Sequence, residues 1–192
     1  MRRVVAAEYV SIDGVMQDPG GVGEIDQGGW SNRYFNYELA KYQTEQLFAS
    51  DALLLGRQTF AGFAAAWPSM EEIEGDFAVR MNTLPKYVVS GSLQPPLPWN
   101  GTLLEGDVVE AVAALKEQPS EDILVYGSAQ LVNTLCARDL IERYRLMVFP
   151  VILGPGKRLF SDMDVGLKAF GLADAATTST GVAMLTYQIG KS

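Results

Sequence analysis

Leu53-Leu54-Leu55-Gly56-Arg57-Gln58-Thr59-Phe60 and Ile123-Leu124-Val125-Tyr126-Gly127-Ser128-Ala129-Gln130-Leu131 are the two stretches that decide the fold. In each, an apolar run stops at a glycine and passes into a polar stretch that starts a helix. An unbroken apolar run of this length is what a strand buried on both faces of a parallel sheet requires. The helix that follows exposes unpaired N–H groups and partial positive charge, which favour phosphate. Two such joints could hold the two ends of one dinucleotide. Neither is followed by the G-x-G-x-x-G of a Rossmann turn, and neither runs on into the G-x-x-x-x-G-K-[ST] of a P-loop.

Working outward, Val4 to Val10 reads as a first strand that enters the turn Ser11-Ile12-Asp13-Gly14. A glycine-rich, ordered loop spans Asp18 to Trp30. Asn36 to Ser50 places Leu39, Gln43, Gln46 and Leu47 on neighbouring turns, with no glycine or proline, and predicts a helix. Ala52 to Leu55 and Lys86 to Val89 are strands, the latter ending at Ser90-Gly91-Ser92. Gln94 to Pro98 is an extended connector, because its prolines forbid a helix. Leu103-Leu104 lies on a short strand. Asp107 caps a helix to about Gln118, with Glu110 completing a capping-box pattern and Val108, Val112 and Leu115 forming the buried stripe. Ile123 to Val125 is a strand, Ser128 caps a helix to about Arg138, and Glu142 to Phe149 is a strand. Pro150 to Gly156 turns. Phe170–Thr178 and Val182–Ile189 close the chain as an antiparallel hairpin around Ser179-Thr180-Gly181. The order β-α-β-α-β-β-α-β-α-β plus hairpin is that of one α/β domain over residues 1–192, with a mostly parallel central sheet and an antiparallel edge.

Composition narrows the function. The 192 residues hold 48% hydrophobic and 20% charged side chains, enough for a sizeable core. A net charge of −8 argues against nucleic acid or an acidic membrane surface as the main partner. There is no histidine and only Cys136, so the usual transition-metal ligands are absent and no metal site is expected. Cys136 reads as a small apolar core residue. The apolar run near the N-terminus is too short for a signal peptide, and the longest, Leu146 to Leu153, falls short of the roughly 18–20 residues of a membrane helix. A soluble cytoplasmic protein is expected.

Six short segments, in order, carry a resemblance. They are Ser11-Ile12-Asp13-Gly14, Gly56-Arg57-Gln58-Thr59, Ser90-Gly91-Ser92, Gly127-Ser128-Ala129-Gln130-Leu131, Asp139-Leu140-Ile141-Glu142 and Pro150-Val151-Ile152-Leu153-Gly154-Pro155-Gly156. Together they resemble the dihydrofolate reductase fold and, within it, the reductase domain of bacterial riboflavin biosynthesis. Ser128 stands where that family has a second glycine. The resemblance implies NADPH as cofactor. It implies a pyrophosphate seat at Gly56, Arg57, Gln58 and Thr59, with Arg57, Ser90, Gly91 and Ser92 toward the adenosine 2′-phosphate and Gly127, Ser128, Ala129, Gln130 and Leu131 as a phosphate loop. A planar guanidinium suits phosphate because two N–H groups bond at once.

The same resemblance places Asp13 beside the nicotinamide and puts Trp30, Tyr34, Tyr37 and Glu38 on the substrate side. Asp13 and Glu38 are the carboxylates considered for catalysis. Each has a second reading: Asp13 as a turn residue, the aromatic residues as core, Glu38 as a solvated side chain. Lys157 and Arg158 are either contacts to a substrate phosphate or a solvated strand end. Three functions remain open at this point. They are reduction of a pyrimidine-type substrate like 5-amino-6-(5-phosphoribosylamino)uracil, reduction of a dihydrofolate or pteridine, and nucleotide binding without catalysis. A homodimer is also expected, from the apolar Leu146–Leu153 stretch and the alternating hairpin, and from the pairing of the reductases that the chain resembles.

Overall fold

Leu53, Leu54 and Leu55 are wholly out of water, as are Val4, Ala6, Ile123 and Val125. Consecutive buried residues mean that these strands are covered on both faces, so polar–apolar alternation is absent. The computed structural model describes residues 2–161, 163 and 165–190. Its strands are β1 (Val4–Ser11), β2 (Ser50–Gly56), β3 (Lys86–Val89), β4 (Gly101–Leu103), β5 (Asp122–Val125), β6 (Arg143–Phe149), β7 (Phe170–Thr177) and β8 (Ala183–Ile189). They form one sheet in the order β4-β3-β2-β5-β1-β6-β8-β7. All pairs are parallel except β6–β8 and β8–β7. The expected α/β sheet with its antiparallel hairpin is what forms.

The helices are α1 (Tyr37–Phe48), α2 (Arg57–Ala66), α3 (Glu71–Glu74), α4 (Asp76–Thr83), α5 (Val108–Lys116) and α6 (Ala129–Ala137). One core holds Leu39 and Leu47 of α1, Phe60 of α2 and Met81 of α4 against one sheet face. The other holds Val112 and Leu115 of α5 and Leu131, Val132, Leu135 and Cys136 of α6 against the opposite face. Each leucine sealed in this way contributes about 1.5–3 kcal/mol.

Several boundaries move for identifiable reasons. Asn36 is the cap of α1 rather than part of it, its side chain accepting from Leu39 N–H at 3.0 Å. Ser50 already belongs to β2. The short strand after the proline connector is Gly101–Leu103, one or two residues before its expected place. Asp107 caps α5 through Val109 and Glu110 N–H groups, without a returning Glu110 side-chain bond among the described residues. Ser128 occupies the cap position of α6, yet its hydroxyl makes no cap bond. The helices α3 and α4 are not announced by the sequence pattern. Gly75, at φ +54°, separates them.

The topology creates a crevice. From β2 the chain leaves into α2 on one face, whereas from the adjacent β5 it leaves into α6 on the other. In open α/β sheets, ligands bind outside the carboxyl ends of strands at such a switch point.

Candidate functional site

The two glycine joints meet in this crevice. Gly56 N–H donates to the Gly127 carbonyl at 3.1 Å. A Cβ built on Gly56 would stand 2.6 Å from Ser128 Oγ and 3.1 Å from Ser128 N, so glycine is required there for the joints to touch. Gly127 has φ +78°, a left-handed conformation that glycine adopts without strain. A Cβ on it would lie 3.3 Å from Thr59 Oγ1, 3.6 Å from Met16 Cε and 3.7 Å from Glu8 Oε2. Gly127 N–H donates to Glu8 Oε1 at 2.7 Å.

At one end of the crevice lie Arg57 and the turn after β3. Gly56 is in register with Val89, so Arg57 and Ser90 leave neighbouring strand ends. Arg57 is exposed and forms no salt bridge among the described residues. Ser90 Oγ accepts from Ser92 N–H at 3.1 Å and Leu93 N–H at 3.0 Å, which leaves its own proton to donate. Gly91 and Ser92 are exposed on that turn.

At the other end a groove of about 590 Å³ opens between the start of α6 and the 156–161 segment. Ala129, Gln130 and Asn133 form one wall, and Gly156, Lys157 and Arg158 the other. Lys157 Nζ reaches Gln58 Oε1 at 3.3 Å, tying this wall to the start of α2. Leu131, included in the phosphate loop by the sequence, turns its side chain into the core with 4% exposure, because the first turn of α6 rotates it onto the sheet, so only its backbone is open to a ligand.

Asp13 is a structural pin. Its carboxylate accepts from Ser11 Oγ at 2.6 Å, Gly154 N–H at 2.8 Å and Leu153 N–H at 3.2 Å, and Arg158 lies 3.6 Å away. The Ser11 hydroxyl, with those backbone donors, lowers its pKa to about 2. A carboxylate so fully engaged joins the first turn to the 150–158 turn and is poorly placed to deliver a proton. Glu38 is engaged too. Ser179 N–H and Oγ donate to it at 2.6 and 2.8 Å and hold it below the usual carboxylate range. It fastens α1 to the β7–β8 turn, three strands from β5.

Trp30 belongs to the core. Its indole N–H donates to Gln17 O at 2.8 Å and its ring meets Phe149 edge-on at 5.3 Å. With 7% of its surface exposed it offers no free face for a heterocycle. Tyr34 is half-buried, packs on Phe149 and carries Arg33 over its ring at 4.7 Å. Tyr37 is 80% exposed. Asp18 orders the glycine-rich loop beneath these aromatics. Burial raises its pKa, but the bonds from Val22, Glu24, Ile25 and Gly23 N–H outweigh that and hold it low.

Two site residues escape the sequence reading. Glu8 sits in the middle of β1 with 3% exposure, and burial, opposed only by the Gly127 bond, pushes its carboxyl up to about 8. The signal is a lone carboxylate inside Val4-Val5-Ala6-Ala7-Glu8-Tyr9-Val10, since an isolated charge does not stay ionised in such a run. Tyr126, just before Gly127, has a buried hydroxyl with no partner among the described residues, and its ring stands 6.2 Å from that of Phe63. Among the described residues no group of three or more Cys, Asp or Glu side chains is arranged to hold a metal ion. No helix there is long and apolar enough to cross a membrane.

The chain matches the RibD C-terminal domain over residues 2–184. It is 30% identical over 190 residues to the uncharacterized protein YyaP of Bacillus subtilis, covering 97% of this chain and 94% of that protein. Its structure superposes with a TM-score of 0.66, at 16% identity, on a diaminohydroxyphosphoribosylaminopyrimidine deaminase/5-amino-6-(5-phosphoribosylamino)uracil reductase from Thermotoga maritima. That match takes in 98% of this chain and 57% of the Thermotoga chain. Dihydrofolate reductase from Enterococcus faecalis, complexed with NADP(H), gives a TM-score of 0.62 at 13% identity, with 97% and 95% of the two chains covered. The fold is therefore dihydrofolate reductase-like.

Proposed function

The chain belongs to the RibD C-terminal domain family, and from that premise we propose that it is an NADPH-dependent reductase of a pyrimidine-type substrate, resembling 5-amino-6-(5-phosphoribosylamino)uracil reductase. The observation that carries the reading is the joining of the two glycine turns at a switch point, with Arg57 and Ser90 at one end and the α6 groove at the other. The residues fit an elongated polyanion with a central pyrophosphate and a terminal phosphate. Backbone N–H groups at the starts of α2 and α6 face the pyrophosphate, and Arg57 supplies a bidentate charge for a terminal phosphate in an otherwise acidic chain. Bound NADPH supplies the hydride, and this chain supplies position and exclusion of water. Reduction of a pteridine is less well served, because Glu38, the carboxylate considered for it, is spent on Ser179.

Arg57→Ala tests the assignment. Losing one charge-assisted phosphate contact costs about 1.5–3 kcal/mol, so NADPH should bind roughly tenfold to a hundredfold more weakly, with NADH hardly changed. Tryptophan fluorescence titrations measure both. Equal losses for the two cofactors would remove Arg57 from the 2′-phosphate. NADPH binding without turnover of pyrimidine or pteridine substrates would point to a nucleotide-binding protein instead.

A further inference from the structure

Glu8 is the one strongly buried carboxyl of β1, and it lies under the phosphate cradle rather than in an ion pair. None of the described salt bridges includes it. Its Oε1 is filled by Gly127 N–H at 2.7 Å. Its Oε2 makes no hydrogen bond among the described residues and lies 3.7 Å from the point where a Cβ on Gly127 would stand. Thr59 Oγ1 approaches the same point to 3.3 Å from the first turn of α2. An ionised carboxylate here would be uncompensated and would repel an anion seated on the neighbouring N–H groups. A protonated one carries a single O–H, and because Oε1 is already an acceptor, the proton belongs on Oε2.

We propose that Glu8 is a positioning residue that works as a neutral acid: Oε1 fixes the Gly127 turn, and the Oε2 hydroxyl, beside Thr59, faces the cofactor's pyrophosphate. This rests on the cradle binding NADPH. Burial supports it by holding the proton up to about pH 8. The surroundings supply no competing charge switch at neutral pH. Tyr126 on β5 and Tyr9 on β1 are kept neutral by burial. Arg145 on β6 acts on Tyr126, and Lys157, on the groove wall, is turned toward Gln58. Ionisation of Glu8 therefore places a new negative charge against the cradle and should expel the anion.

The experiment is NADPH affinity between pH 7.0 and pH 9.0 for the wild type and Glu8→Gln. In parallel, the Gly127 amide resonance of the ligand-free protein is followed over the same range. Over this interval the cofactor's 2′-phosphate stays doubly ionised, because its second pKa is about 6. The wild type should lose affinity by up to about tenfold, with the Gly127 amide shifting around pH 8. Glu8→Gln keeps both the acceptor and a donor, so it should bind within about threefold of wild type at pH 7.0 and show a flat profile. Lys86 is also pushed down to about 8 but remains in the variant, which separates its titration from that of Glu8. Constant wild-type affinity from pH 7.0 to 9.0, or an equal fall in Glu8→Gln, would overturn the role of Glu8 and leave the cradle standing. No NADPH binding at pH 7.0 would overturn the cradle itself and this proposal with it. If the variant folds poorly, the wild-type Gly127 amide decides, because it is bonded to Glu8 and not to Lys86: a shift around pH 8 supports the role of Glu8, and a flat amide overturns it.

Discussion

Substituting Gly56 with alanine probes the contact between the two joints. Gly56 has φ −72° and ψ 157°, which alanine adopts freely, so the backbone adds no strain. Space does. The new methyl would stand 2.6 Å from Ser128 Oγ, 3.1 Å from Ser128 N and 3.2 Å from Ser128 Cβ. The hydroxyl can rotate away, but the other two atoms are fixed by the turn. Overpacking of this kind costs about 1–3 kcal/mol, and the reduced freedom of the unfolded chain returns about 0.4–1 kcal/mol. A net loss of about 1–2 kcal/mol corresponds, for a chain of this size, to a Tm lower by roughly 2–8 °C. Ser128→Gly removes Oγ and Cβ and leaves only the contact to N. In that background Gly56→Ala should cost less than half as much, which is a coupling of about 0.5–1.5 kcal/mol. Thermal or urea unfolding of the four proteins closes the cycle. An equal cost of Gly56→Ala in both backgrounds would refute the idea that Ser128 fills the hollow left by Gly56.

Lys86 is wholly buried, donates to Asn82 O at 2.8 Å and sits 4.0 Å over the Trp99 ring, and burial lowers its pKa to about 8 against about 10.4 when unfolded. Between those values the unfolded chain holds the extra proton, so stability should rise from pH 8 to 10 on this account. In Lys86→Met that contribution should vanish from the Tm profile; an identical profile would show that Lys86 is not the source. We also propose that two copies pair through β7, an edge strand with seven exposed residues and Leu172 56% exposed. Light scattering at micromolar concentration should give a dimer mass, with Leu172→Lys shifting it toward the monomer. A monomeric wild type would end that reading.

Much of the architecture is legible because its signals are local. Leu53–Gly56 and Ile123–Gly127 announce buried strands by an apolar run and a stop, and Asp107 announces α5 by a cap that forms as expected. The helices α3 and α4 are too short to show a period and are held by tertiary contacts, with Ala78 and Met81 buried. The roles of the carboxylates are set mainly by distant partners. Asp13 is defined by Leu153 and Gly154, Glu38 by Ser179 and Glu8 by Gly127, partners more than a hundred positions away. A chain read residue by residue shows an acid in a turn, an acid at a helix start and an acid in a strand, and only the resemblance singles out the first two for catalysis.

Desolvation reverses that choice. Asp13 and Glu38 are each met by several donors that stabilise the ionised form and lower their pKa. Glu8 meets one backbone N–H and no cation, so its proton stays and it alone of the three can both accept and donate near neutrality. Ser128 follows the same logic of place. Its side chain leans into the hollow at Gly56 instead of capping α6. A serine after Gly127 is thus compatible with an open cradle only while position 56 remains glycine. The two joints, read separately in the sequence, are therefore one unit, and a change in either is felt at both.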